Sequence, residues 1–374
     1  MISRLTARQA ERLFITISCI ELFMGLLGYC QVTLPFSKYI LWIFTLVYVA
    51  IAATNKYSAK EKAVLIILII FGVLLYANSG LSSGIRRVCY LYALKNIDMK
   101  KYLRAALSVL VGSSFSFAVC SAIGLLDIAM QDVRPYRGFG GVRYTFGYYN
   151  PNITMAVIFL ALICWFALYH GEQPWYAYVA IMAAYAVLFY FTDSRTAFFM
   201  GGGVMIGIIC TRHIKWSGWT NLIFVIFIIS FISMLVISVA AAFRVENTLM
   251  HDINLFISKR MSQLNVCTVD ENYALPFVEN WHLFGDRGNR NLYDLGYLQL
   301  FYYYGIIPAI CYLLCVVCAA VKVWRENNTL ELILLLGLSV QLFMEPIYLC
   351  GFIPIDFLLV YSVLLLWRDS SPEY

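Results

Sequence analysis

"RYTFGYYNPN" (143–152) runs directly into "ITMAVIFLALICWFALY" (153–169). The second stretch is seventeen residues long without a charge, close to the ~20 residues a helix needs to cross about 30 Å of hydrocarbon. Its apolar residues are continuous rather than alternating, which speaks against a β-barrel strand. The first stretch reads as the start of that helix. Pro151 suits a first turn, where its missing N–H costs nothing, and Asn150 is well placed as N-cap. Arg143 and the tyrosines are left unexplained by capping alone.

The same pattern repeats along the chain. Of its 374 residues, 62% are hydrophobic and only 13% charged, and the mean hydropathy is +0.77. Soluble domains are nearer half apolar and a quarter charged. The fold class expected is therefore an all-α polytopic membrane protein, one transmembrane domain over 1–374, with about twelve spans. The runs are 13–31, 38–54, 63–79, 84–95, 104–126, 153–169, 175–191, 197–211, 219–242, 295–320, 330–349 and 353–367. The first lacks a small-residue cleavage site and reads as an ordinary span rather than a signal peptide. Most of the eleven cysteines fall inside these runs, and Cys311, Cys315 and Cys318 on one helix face read as small packing residues.

Lysine and arginine orient the chain, because they accumulate on the cytoplasmic side. Arg4, Arg8 and Arg12, Lys56, Lys60 and Lys62, and Lys95, Lys100, Lys101 and Arg104 share one side if twelve spans are counted. Arg212, Lys215, Lys322, Arg325 and Arg368 join them. This predicts both termini in the cytoplasm. The opposite face then carries two long segments, 128–152 and 243–294, and arginines that work against the insertion bias. These are Arg134, Arg137 and Arg143, Arg195 in "TDSRTA", and Arg287 and Arg290 in "FGDRGNRN". Long loops tolerate charge, which accounts for Arg244 and Arg260. Within 243–294, Leu249, Ile253, Phe256, Ile257, Met261 and Leu264 keep a helical period, predicting an interfacial helix over 246–264.

Arginine is suited to phosphate, since its planar fork donates paired hydrogen bonds and never loses its charge. A lipid-linked phosphate would sit at the membrane edge with its tail in the bilayer. Asp294, where the long loop enters the tenth span, and His282 are candidate bases for a sugar hydroxyl proton. Asp193 and Asp286 each adjoin an arginine and read equally as its partner. Glu21, Glu345 and Asp356 fall within spans, where a carboxylate is costly unless paired. They read either as an ion relay or as partners of Arg86 and Arg87. "GGGVMIG" (201–207) is mid-helix and reads as close helix packing.

Three segments in order resemble bacterial O-antigen and capsule polymerases of the Wzy type. "RYTFGYYNPN" resembles their Arg-x-x-x-Gly-x-x-(His/Asn)-Pro-Asn signature. "TDSRTAFFMGG" (192–202) resembles the Thr-x-Ser-Arg stretch that opens a later helix. "WHLFGDRGNRNLYDLGYLQLFYYYGIIP" (281–308) resembles the segment that closes their large outer loop. The resemblance implies a GT-C-like glycosyltransferase that joins undecaprenyl-pyrophosphate-linked oligosaccharides, without a cofactor or metal, on the outer face of the membrane. It also implies a chain-length regulator and a flippase as partners, and gives no role for nucleic acid. Arg143 and Arg195 match the pyrophosphate-holding arginines, and Asp294 matches the acidic or histidine position. Beside these matches, Arg134, Arg137, Asn150, Asn152, Ser194, Arg287, Arg290 and Tyr297 are the candidate substrate-binding residues. Asn150 stands where many relatives have histidine, and Leu295 where asparagine is usual, so Asp294 and His282 both stay open as the base. Transfer to another acceptor, as by an O-antigen ligase, and transport of the same lipid-linked sugar are the alternatives.

Overall fold

The computed structural model describes residues 6–32, 34–131, 141–169, 172–214, 216, 218–257, 259–264, 274–291, 293–346, 349 and 351–368. Arg134, Arg137 and Lys215 lie outside the described residues.

Helices occupy the places the apolar runs predict. They are α1 (Ala7–Gly28), α2 (Ser37–Thr54), α3 (Ala59–Ser79), α4 (Ser83–Ala93), α5 (Met99–Ala122), α6 (Pro151–Tyr169), α7 (Trp175–Thr192), α8 (Arg195–His213) and α9 (Trp219–Ala242). The large connection holds α10 (Thr248–Phe256) and α11 (Arg260–Gln263), and after it come α12 (Gly296–Gln299), α13 (Ile306–Arg325), α14 (Thr329–Met344) and α15 (Phe357–Trp367). Seven of them, α2, α3, α5, α6, α7, α9 and α13, are long and apolar enough to cross a membrane by length and composition. The chain is a mainly helical membrane protein. Between α5 and α6 a short antiparallel pair forms, β1 (Ala129–Gln131) with β2 (Val142–Tyr144), which sets Met130 opposite Arg143.

The helix that opened the sequence reading lies at the centre of the bundle. The apolar window of α6 is 72% buried, against 17% for α2, α3 and α7, whose exposed Ile66, Ile70, Val179 and Val187 suit lipid. Helices run back and forth, so their connections gather at two ends. At one end the basic segments meet: Lys101 reaches Glu11 at 2.8 Å, Lys95 reaches Glu61 at 2.6 Å, Thr220 meets Thr329 at 2.6 Å, and Arg368 pairs with Glu331 at 2.7 Å. At the other end the Tyr149 N–H donates to the Tyr29 carbonyl at 2.8 Å, and Arg290 reaches the Ser79 carbonyl at 3.3 Å.

Three expected elements are interrupted. The interfacial helix over 246–264 is two short helices, because Lys259 takes a left-handed conformation (φ 61°) and Asn254 Oδ1 accepts from the Met261 and Ser262 N–H groups. Its buried stripe is Met250, Ile257, Arg260 and Leu264, while Leu249 and Phe256 stay exposed. The span over 295–320 starts as α12, passes through a π-helical segment (Leu300–Tyr304), and breaks at Gly305 with φ 94°. The "FGDRGNRN" region invades its hydrogen-bond ladder. Asn289 Nδ2 takes the Tyr302 carbonyl at 2.8 Å, while the Ile306 and Ile307 N–H groups turn to the His282 and Leu283 carbonyls. Inserted groups of this kind kink helices. A Cβ at Gly305 would overlap the Gly285 nitrogen. Finally, α14 ends at Met344, short of the expected 349, and α15 begins only at Phe357.

Between those last two helices, Glu345, Leu349 and residues 353–356 are buried in protein, where non-helical backbone is tolerated at membrane depth. Glu21 on α1 accepts from the Ile353 N–H at 3.1 Å, from Tyr48 at 2.8 Å and from Arg86 at 2.5 Å, and Arg86 also holds the Gly351 carbonyl at 2.8 Å. Arg87 lies 3.3 Å from Asp356, which accepts from Tyr312 at 2.6 Å. Two of the three carboxylates left open between relay and partner are thus paired as expected, Glu21 with Arg86 and Asp356 with Arg87, whereas Glu345 pairs with Arg260.

Candidate functional site

The polar residues gather at the end opposite the basic one, around the mouth of α6. As its sequence predicts, α6 starts at Pro151, and Asn150 Oδ1 accepts the Asn152 N–H at 2.8 Å. Asn152, one position further, faces across the bundle. Its Oδ1 accepts from Arg143 at 3.0 Å and its Nδ2 donates to Glu345 at 3.4 Å.

Arg143 is 4% exposed. Its Nε donates to the Thr192 carbonyl at 2.8 Å and its Nη2 to the Asp193 carbonyl at 3.2 Å. Those are the last residue of α7 and its cap, where carbonyls lack intrahelical partners and the helix dipole favours a cation. Asp193 itself is left-handed, φ 46°, so Arg143 fixes the turn from which α8 departs. Arg195 sits on that turn with 61% of its side chain exposed, 3.3 Å from Asp193. Ser194 between them is buried. Buried Arg143 is a brace, and exposed Arg195 is a reachable cation.

A second buried arginine completes the centre. Arg260, at the head of α11, is 6% exposed. Its Nη1 donates to the Asp294 carbonyl at 3.0 Å and to the Met344 carbonyl, and its Nη2 to Glu345 at 2.7 Å. It therefore caps the C-terminus of α14 as Arg143 caps that of α7, and it pins the large connection to the bundle. Arg260 was accounted for in sequence as a charge that long loops tolerate. Its burial corrects that reading, whereas Arg244 does lie at the surface, 2.6 Å from Glu279. Arg260 and Glu345 are the site residues that sequence reasoning missed. The available signal was a cation on an apolar stripe between Ile257 and Leu264, and a carboxylate at the end of an apolar run, before Pro346.

Asp294 stands at the surface of this centre. Its side chain is 54% exposed and lies 3.7 Å from Arg260. The turn that carries it is locked from below: Gln299, fully buried, accepts from the Tyr293 N–H and donates to the Asn291 carbonyl, each at 3.1 Å. Leu295 and Tyr297 fill the core beside it, Tyr297 with its ring against Phe231 and Phe343 and no exposed face. Of the three tyrosines in the opening stretch, Tyr148 is a core residue bonded to Ser114 at 3.0 Å, and Tyr144 packs edge-on against Phe191. Tyr149 is 46% exposed. Partial burial pushes its hydroxyl pKa up, and the nearby Asp294 and Glu345 carboxylates push it further.

The remaining predicted residues stand apart. His282 is exposed, and its carbonyl anchors the start of α13. Arg287 and Arg290 are exposed over the end of α3, where Arg290 also donates to the Arg287 carbonyl at 3.2 Å. Among the described residues, His282 bonds to α13, Arg290 to α3 and Arg287 to Arg290, rather than to the Arg143–Asn152–Glu345–Arg260 chain. Chemically, the centre offers a reachable guanidinium, a half-exposed carboxylate and an exposed tyrosine ring on a rigid, charge-balanced floor. Set against models of known protein families, curated proteins and solved structures, the chain matches none of them.

Proposed function

We propose that the chain is a twelve-span glycosyltransferase of the bacterial plasma membrane that polymerises undecaprenyl-pyrophosphate-linked oligosaccharide repeats on the outer face. The observation that carries this reading is the convergence of six separate segments at the end opposite the basic one. Arg143, Asn152, Arg195, Arg260, Asp294 and Glu345 come from β2, α6, the α7–α8 turn, the large connection, the approach to α12 and the end of α14. Positive-inside bias sets that end outward and both termini in the cytoplasm.

Each residue then has a distinct part. The acceptor sugar hydroxyl attacks the anomeric carbon of the donor while the bond from that carbon to the pyrophosphate oxygen breaks. Arg195 meets the charge growing on the leaving pyrophosphate, with Arg143 bracing its turn. Asp294 takes the hydroxyl proton. It suits that task better than His282, which sits with a different cluster. Tyr149 offers a face for a sugar ring. Donor energy comes with the lipid pyrophosphate, so no cofactor is required. A flippase would supply the repeats and a chain-length regulator would act alongside.

Purified protein in lipid nanodiscs, given lipid-pyrophosphate-linked repeats from the cells that carry it, should produce a ladder of longer lipid-linked chains. Failure of the parent protein to lengthen any such substrate would refute the proposal.

A carrier of the same lipid-linked sugars is a second reading. It is favoured by the interrupted stretch between α14 and α15 with its buried Arg86–Glu21 and Arg87–Asp356 pairs, since carriers use broken helices and intramembrane charge. In sealed vesicles a carrier would move the lipid-linked sugar across the bilayer without lengthening it.

A further inference from the structure

The bundle carries a groove of about 590 Å3, walled by α3, α4, α13 and α15 and lined by none of the residues of the Arg143–Glu345 centre. Its lining is almost wholly apolar. Val64, Leu68 and Leu75 form one wall, and Pro308, Leu314 and Cys318 another. Val64 and Leu314 are 50% and 57% exposed, so the groove opens sideways to where lipid tails would lie.

Its length limits what can fill it. The lining runs along α3 from Lys60 to Leu75, a rise of about 22 Å at 1.5 Å per residue. One leaflet contributes only about 15 Å of hydrocarbon. An ordinary acyl chain would leave part of the groove empty, whereas a long polyisoprenoid crosses the midplane and fills it.

Beyond one end of the groove lie residues of the "FGDRGNRN" region. Leu75, on its wall, would touch a Cβ placed at Gly285, and Phe71 lies 5.5 Å from Phe284 by ring centroids. One turn above Leu75, the Ser79 carbonyl holds Arg290. The exposed Arg287 and Arg290 thus stand over the top of an apolar channel, in the order a diphosphate followed by its lipid tail requires. At the far end the groove reaches Tyr92 and Trp367, with Lys95 held between Glu61 and the Trp367 ring.

We propose that this groove binds the tail of a second polyisoprenoid diphosphate, the acceptor substrate, with its diphosphate at Arg287 and Arg290. The inference rests on the polymerase reading for the ligand's identity. A reaction between two lipid-linked substrates needs two headgroup sites and two tail sites. The separation of the arginines into two clusters, around Arg195 and around Arg290, supplies the two headgroup sites, and this groove supplies one of the tails.

The test is photo-crosslinking in nanodiscs with a diazirine-bearing polyprenyl diphosphate, followed by peptide mapping. It needs no turnover. Label should concentrate on α3 and α13, be displaced by undecaprenyl diphosphate and resist phosphatidylglycerol. L314W with C318W, which fills the groove from exposed positions, should cut that label at least fivefold, as should R287A with R290A. I229W, at a lipid-facing site on α9, should leave it unchanged. Even labelling of all lipid-facing helices, or equal displacement by phosphatidylglycerol, would overturn the proposal. Chain lengthening measured on the same sample separates the two ideas. Specific label without lengthening would keep the groove and defeat the polymerase, whereas lengthening with no groove-specific label would do the reverse.

Discussion

Replacing Arg260 with methionine tests how the large connection is held. The guanidinium donates to the Asp294 and Met344 carbonyls and to Glu345, with both side chains of the ion pair under 8% exposed. Removing one partner of a buried pair costs about 3–5 kcal/mol, because the other charge stays buried without compensation. At about 2 °C per kcal/mol in a chain this long, the melting temperature in detergent, followed by tryptophan fluorescence, should fall by roughly 6–10 °C. Trypsin should then cut faster after Lys259, beside the released helix. Converting both partners, Arg260→Met with Glu345→Leu, removes the stranded charge and should recover at least half of the loss. An Arg260→Met protein as stable as its parent would refute the latch. So would a double variant that loses the sum of the two single changes.

Other substitutions probe the remaining assignments. Arg195→Ala should abolish chain lengthening with a melting temperature within about 1 °C of the parent, since exposed pairs contribute about 0–1 kcal/mol. Arg143→Ala should lower activity and stability together, because it frees the carbonyls at the end of α7. Arg86→Met should cost about 3–5 kcal/mol through stranded Glu21, and Arg86→Met with Glu21→Leu should regain much of it, both read by thermal melts. Gly296→Ala should cost about 1–3 kcal/mol as overpacking, since a Cβ there would overlap the Leu342 carbonyl. Retention of the parent's melting temperature would contradict that close approach.

Apolar period and charge made the helices and their alternation readable, because lipid leaves the backbone few other options. Pro151 and Asn150 marked the start of α6 through local chemistry. What escaped the sequence was set by contacts between distant segments. The break at Gly305 depends on Asn289 reaching Tyr302, and the end of α14 on Arg260 reaching Met344. Arg143 and Arg195 read alike as phosphate ligands, yet burial separates a brace from an exposed cation, and no local pattern encodes burial. Arg260 stood out only as a charge on an apolar stripe.

The central claim is that the outer cluster transfers a glycosyl chain from a lipid pyrophosphate, with Arg195 at the leaving group. Mass spectrometry of a nanodisc reaction tests this most directly, by counting polyprenyl diphosphate released against glycosidic bonds formed. The account predicts one released per bond for the parent and neither from Arg195→Ala of unchanged melting temperature. Bond formation by Arg195→Ala at the parental rate, or lengthening without released polyprenyl diphosphate, would contradict it.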